Sequence, residues 1–164
     1  MRLIHKQIEL RAFDKLQDML EEDRALLAAA TQVAQQAYAP YSGFQVGAAV
    51  LLENGEVVAG SNQENMAYPS GLCAERVAVF AASSAFPDVP IRKIAIIARS
   101  EEVKMDDPVT PCGACRQVIA EYENKQGKPI QVLLGSADGV CWVADSIMSL
   151  LPFSFHAEGL KKKR

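Results

Sequence analysis

Apolar positions along the chain change period several times, and each change predicts an element. Leu26, Leu27, Ala30, Val33, Ala34 and Ala37 fall on one helical face. Asp23 stands before them as a candidate N-cap, and Pro40 bars continuation. Residues 44–52 and 57–60 are two β-prone runs joined through Asn54-Gly55, a strong local signal for a hairpin. After the break at Pro69-Ser70-Gly71, residues from Cys73 onward read as a helix with Ala74, Val77, Ala78, Phe80 and Ala81 apolar; Pro87 and Pro90 close it. The unbroken run Ile94-Ala95-Ile96-Ile97-Ala98 suits a strand buried on both faces. A helix is predicted after Pro111-Cys112, with Val118, Ile119 and Tyr122 inward, and Gly127 and Pro129 end it. Residues 130–134 and 140–143 then read as strands, and residues 145–151 as a short helix before Pro152.

These elements constrain the topology. Strand, helix, strand across residues 94–134 is a βαβ unit, so its two strands are expected parallel with a right-handed crossover. Five residues, Gly135 to Gly139, are too few for a parallel crossover, so the last strand is expected antiparallel to its predecessor. The expected fold class is α/β: a three-layer α-β-α sandwich with a mixed five-stranded sheet and helices on both faces. Residues 1–22 carry weaker patterns. Leu3-Ile4 and Ile8-Glu9-Leu10 suit a short strand, while Phe13, Leu16, Met19 and Leu20 have helical spacing. They are expected to form an arm packed on the 23–160 domain or on a neighbouring subunit, with residues 161–164 as a basic, solvated tail.

Composition narrows the function classes. The chain has 164 residues, enough for one domain with a substantial core, and 49% hydrophobic with 23% charged residues is ordinary for a globular protein. A net charge of -3 argues against a polynucleotide partner, which asks for a basic footprint. No apolar run reaches the length of a membrane helix, and the start of the chain lacks the apolar segment of a signal peptide. A cytoplasmic location is therefore expected. In a reducing compartment the four cysteines favour metal or thiol chemistry over disulfides.

Three of those cysteines carry the candidate chemistry. Cys73-Ala74-Glu75 and Pro111-Cys112-Gly113-Ala114-Cys115 each place thiols at a predicted helix start, where free N–H groups and the helix dipole favour thiolate. Three protein ligands with the fourth position left to water or substrate are typical of catalytic zinc. Glu75 is placed to move protons, general acid–base work joined to metal activation of water. Arg76, on the same helix face as Cys73, could donate to ligand sulfurs and draw charge from a site whose three thiolates outweigh Zn²⁺. A first-turn glutamate and an exposed arginine also have plain structural readings. Cys141 lies inside a predicted strand and is expected in the core; as a fourth ligand it would close the site and make it structural. Cys112 and Cys115 alone could instead be a redox pair. His5 and His156 lack spaced partners, so a His-based triad is not supported.

With the metal motifs stand Tyr41-Ser42-Gly43-Phe44-Gln45-Val46-Gly47-Ala48-Ala49, Asn62-Gln63-Glu64-Asn65, Arg116-Gln117 and Leu151-Pro152-Phe153-Ser154-Phe155. Together, and in this order, they resemble the small, homotetrameric, zinc-dependent cytidine deaminases over about residues 23–160; the paired metal motifs are the Cys form of the zinc deaminase signature. The resemblance implies one Zn²⁺ per subunit on Cys73, Cys112 and Cys115, with Glu75 as proton shuttle and partner of ring N3. It implies Arg76 bonding ligand thiolates, and Asn62 and Glu64 on the ribose 3′-hydroxyl. Phe44 is implied to line the base pocket, with Ala74 among the substrate-binding positions. Phe155 is implied to reach a neighbouring subunit's site and stack on the pyrimidine, with Phe153 close enough to be confused with it. The implied reaction is hydrolytic deamination of cytidine and 2′-deoxycytidine, with attack at C4 and release of ammonia, in pyrimidine salvage.

Two features depart from the family pattern. The arm of residues 1–22 is longer than a minimal member needs, and Met66 stands where smaller residues are common. Two other readings stay open: deamination of another cytosine nucleoside, and a non-catalytic zinc or redox protein.

Overall fold

The computed structural model describes residues 1–157 and 160; the basic tail at 161–164 lies outside the described residues. Six strands form one sheet in the order β1-β6-β5-β4-β2-β3. They are β1 (Arg11–Phe13), β2 (Gln45–Leu52), β3 (Val57–Ser61), β4 (Ile91–Arg99), β5 (Gln131–Gly135) and β6 (Cys141–Ala144). Three helices accompany them: α1 (Glu21–Ala34), α2 (Ala74–Ala85) and α3 (Gly113–Gln126). Among the described residues, no helix is long and apolar enough to cross a membrane.

Side-chain alternation on the strands sorts the molecule into two cores. Ala48, Val50, Leu52, Ile94, Ile96, Val132 and Leu134 pack with α2 and α3. Their neighbours Ala49, Leu51, Ala95 and Leu133 pack with α1. Each fully buried leucine or isoleucine here stabilises the fold by about 1.5–3 kcal/mol relative to exposure. Two glycines let the helices settle on the sheet. A Cβ on Gly47 would lie 2.0 Å from the Ala30 carbonyl of α1, and one on Gly60 would lie 2.8 Å from the Ala78 amide of α2.

The expected connections are found. β2 and β3 form an antiparallel hairpin, with Gly55 at φ +87° and the Asn54 side chain accepting from the Glu56 amide. β4 and β5 are parallel across α3, and β5 and β6 are antiparallel. Gly127, at φ +64°, caps α3 in the left-handed conformation by donating to the Glu123 carbonyl.

Five expectations differ from the structure. The sheet has six strands instead of five, because β1 from the arm pairs antiparallel with β6 through Arg11↔Val143 and Phe13↔Cys141. Without β1, one edge of β6 would present unpaired N–H and C=O groups. The arm's strand is Arg11–Phe13, not residues 3–4 or 8–10, and the expected helix around Leu16 is a single 3-10 turn, Leu16–Asp18. Residues 147–149 likewise form only a 3-10 turn. Asp23 is not an N-cap. Leu20 caps α1, and Asp23 lies buried in the first turn, where Lys93 of β4 pairs with it.

Candidate functional site

Two helix starts meet at one end of the sheet. Cys73 is the N-cap of α2 and Cys112 the N-cap of α3, with Cys115 one turn further on and fully buried. The β4 strand separates the two helices in sequence, so strand pairing in the sheet brings them together. The Cys73 and Cys112 sulfurs are 3.9 Å apart and those of Cys112 and Cys115 3.4 Å apart; all three lie within 4.8 Å of one another. Three sulfurs held about 2.3 Å from a tetrahedral zinc sit about 3.8 Å apart, so this cluster fits the ion. A disulfide needs about 2.05 Å, so Cys112 and Cys115 stand as thiols.

Charge around the cluster supports the fit. The Cys73 thiol is pulled down to about 5, first by its hydrogen bond with Cys115 and then, against the cost of burial, by Arg76 and Cys112. The Cys115 thiol is pushed up, first by its hydrogen bond with Cys73 and then by burial. Arg76 brings its Nη2 to 3.9 Å from the Cys73 sulfur, while its buried Nε has no partner among the described residues. Cys141 is elsewhere: fully buried in the α1-side core, its thiol raised to about 11 by desolvation. A closed Cys₄ site is therefore not formed.

The cluster opens into a cleft of about 650 Å³ whose walls include Phe44, Asn62, Glu64, Cys73, Glu75 and Arg76. Glu75 is only 5% exposed, and burial raises the affinity of its carboxyl for a proton. The Glu64 carboxylate accepts from the Ser42 hydroxyl and from the Tyr41 and Ser42 amides, which hold its pKa below the usual value. The Asn62 side chain accepts from the Val46 amide at 2.7 Å and donates to the Phe44 carbonyl at 2.9 Å. Each end of an amide keeps one further hydrogen-bonding position, so Asn62 can brace β2 and still meet a ligand.

A family model, the cytidine and deoxycytidylate deaminase zinc-binding region, matches residues 20–127 and so spans all three cysteines and Glu75. The chain belongs to this family. A cytidine deaminase from Halalkalibacterium halodurans is 43% identical over 136 residues, covering 82% of this chain and 95% of its own. One from Sporosarcina psychrophila is 42% identical over 135 residues, covering 82% and 92%. The crystal structure of a cytidine deaminase from Burkholderia pseudomallei is similar at 38% identity and a TM-score of 0.71, covering 84% of this chain and all of that one. Membership in a family defined by a zinc-binding region, together with the three-sulfur cluster, fits one zinc ion per chain.

Within this deaminase fold, the remaining expected residues fall in different places. Ala74 opens α2 and is fully buried; as a first-turn residue it offers its N–H without a partner inside the helix. Phe155 and Phe153 do not line their own chain's cleft, and both are largely exposed, at 70% and 69%. Met66 is exposed as well. Sequence reasoning gave no role to Ser42, Tyr68 or Thr110, which also line the cleft. Ser42 sits in a motif already singled out, but its grip on Glu64 spans more than twenty residues and leaves no local pattern.

Proposed function

We propose that this protein hydrolyses the exocyclic amine of cytidine and 2′-deoxycytidine, giving uridine or 2′-deoxyuridine and ammonia. The observation that carries the reading is the convergence of three cysteine sulfurs on a cleft whose deepest carboxyl, Glu75, is buried beside them. Zinc held by Cys73, Cys112 and Cys115 supplies a Lewis acid that makes water nucleophilic near neutral pH.

The chain's own residues do the rest. Burial lets Glu75 keep a proton more readily than an exposed carboxylate, the property a group needs if it both takes and gives protons near neutrality. Glu75 accepts a proton as water adds at C4 and passes it to ring N3. As the C4–N bond breaks, Glu75 carries the second water proton to the departing amine. Arg76 holds the Cys73 sulfur and offsets thiolate charge. Glu64 and Asn62 take the ribose 3′-hydroxyl, Phe44 walls the base, and Ala74 contributes from the helix start.

In this reading the exposed Phe155 ring stacks on the pyrimidine in a second subunit's cleft, so the active form is a homotetramer with shared sites. Its setting is pyrimidine salvage in the cytoplasm, within a domain of residues 23–160 flanked by the arm and tail. Ammonia release from purified protein and cytidine, with the matching ultraviolet change and metal content, tests it. Turnover on both nucleosides by zinc-loaded protein is expected. Zinc-loaded protein inert on both contradicts the proposal.

A further inference from the structure

The segment after Leu151 has no regular secondary structure up to residue 157, yet it is held at one point by an unusual contact. The carboxamide of Gln117, on α3, donates from Nε2 to the Phe155 carbonyl at 2.9 Å and accepts at Oε1 from the Phe155 amide at 2.9 Å. One side chain thus meets both backbone groups of one residue, as an opposing residue does in an antiparallel ladder. The preceding residue, Arg116, grips the same segment upstream. Its Nη1 donates to the Leu150 carbonyl at 2.9 Å, and its Nε and Nη2 donate to the Pro111 carbonyl and the Thr110 hydroxyl. Two neighbouring residues on the helix that carries Cys115 therefore fix the chain at positions 150 and 155.

What is fixed at 155 is a phenylalanine that stands 70% exposed. Burial does not account for anchoring it, because most of the residue stays exposed within its own chain. Phe153 is equally exposed, and among the described residues no side chain grips its backbone. The anchored aromatic is Phe155.

We propose that Gln117 is a positioning residue for the deamination reaction, clamping the Phe155 backbone so that the ring is presented to the nucleoside bound in a second copy of the chain. This rests on the cross-subunit stacking reading above, and it selects Phe155 over Phe153 as the residue that stacks. The clamp couples two parts of the site: α3 holds Cys112 and Cys115 at its start and, one turn later, sets the reach of the aromatic that closes another subunit's cleft.

The test is steady-state kinetics with cytidine on the zinc-loaded full chain, comparing parent, Gln117→Met, Phe155→Ala and the double variant. Zinc content and oligomeric state are measured on each. Methionine keeps the length and helix preference of glutamine while removing both bonds. Gln117→Met is expected to raise KM about fivefold, the scale of losing one to two hydrogen bonds, with a much smaller change in kcat. Zinc content and assembly stay as in the parent. The double variant is expected to match Phe155→Ala alone, since Gln117 acts through Phe155. Gln117→Glu, which keeps the acceptor for the Phe155 amide, falls between parent and Gln117→Met. A raised KM in Phe155→Ala with an unchanged KM in Gln117→Met overturns the clamp and leaves stacking intact. An unchanged KM in Phe155→Ala removes the stacking reading itself and the clamp with it. Effects that multiply in the double variant, or zinc loss in Gln117→Met, also overturn the proposal, because the residue then serves α3 and not the aromatic.

Discussion

The two faces of the sheet each hold a fully buried cysteine, and the two have opposite fates. Cys115 sits on the α2–α3 side, beside Cys112, Cys73 and the Arg76 guanidinium, at the meeting of two helix N-termini. Cys141 sits on the α1 side among Met19, Leu26, Leu27 and Val143, with no other thiol near it, and desolvation keeps it protonated. Burial is the same; the neighbours differ. Thiol chemistry arises where helix starts and a cation converge, and a cysteine inside a strand packs as a small apolar residue. The charged groups divide the same way. On the α1 side, Lys93 is enclosed by Asp23 and Glu22 and serves the fold. On the other side, Arg76 is aimed at a ligand sulfur.

The contrast is broken most severely at the cysteines. Cys115→Ser is expected to lose zinc and at least about a thousandfold in activity, since one of three ligands is gone and metal activation of water goes with it. Cys141→Ala is expected to keep zinc and kcat and to lose only about 1 kcal/mol of stability, the cost of trimming a small buried group. Metal analysis and kinetics on the pair check this. Zinc loss in Cys141→Ala would erase the distinction between the faces.

The next effect belongs to the α1 side alone. Lys93→Met leaves Asp23 buried without its partner, and its side chain is only 10% exposed, so a loss of about 3 kcal/mol in chemical denaturation is expected. KM for cytidine should stay within twofold of the parent. A variant of parental stability would show that the pair contributes nothing net.

A smaller effect appears with pH. Glu22 is held below its ordinary pKa of 4.5, chiefly by its hydrogen bond with Lys93. A depressed folded pKa means the stabilisation is complete above 4.5 and fades as pH falls through and below that value. Burial pulls the Lys93 pKa down, but bonds to Asp23 and Glu22 outweigh it and the net shift is upward. That contribution is present below 10.5 and fades as pH rises through the raised value. Thermal midpoints of parent and Glu22→Gln should therefore converge toward pH 3 and separate near neutrality. A constant gap across that range would assign the difference to something other than this carboxylate.

The sequence was most readable where signals are local. Cys73-Ala74-Glu75 and Pro111-Cys112-Gly113-Ala114-Cys115 carry the clustered thiols, the buried carboxyl of the cleft and both helix starts within a few residues each. The continuous apolar runs of β2, β4 and β5 made the buried sheet legible, and Asn54-Gly55 marked the hairpin. β1 was not legible: a three-residue strand has no measurable period, and its partner strand β6 lies about 130 residues away in sequence. Asp23 read as a cap because its true partner, Lys93, is 70 residues away. The amide clamps of Asn62 and Gln117 were hidden for the same reason, since a side chain that completes another segment's backbone pairing leaves no periodic trace. The site's ligands were visible in the sequence; what holds them in place was visible only in three dimensions.

The most direct test of the account is Glu75→Gln, assayed for ammonia release from cytidine with zinc measured on the same sample. The account predicts parental zinc content and a rate lower by about a thousandfold or more, within the range ascribed to a positioned acid–base group. A variant that keeps zinc and deaminates within tenfold of the parent would contradict it.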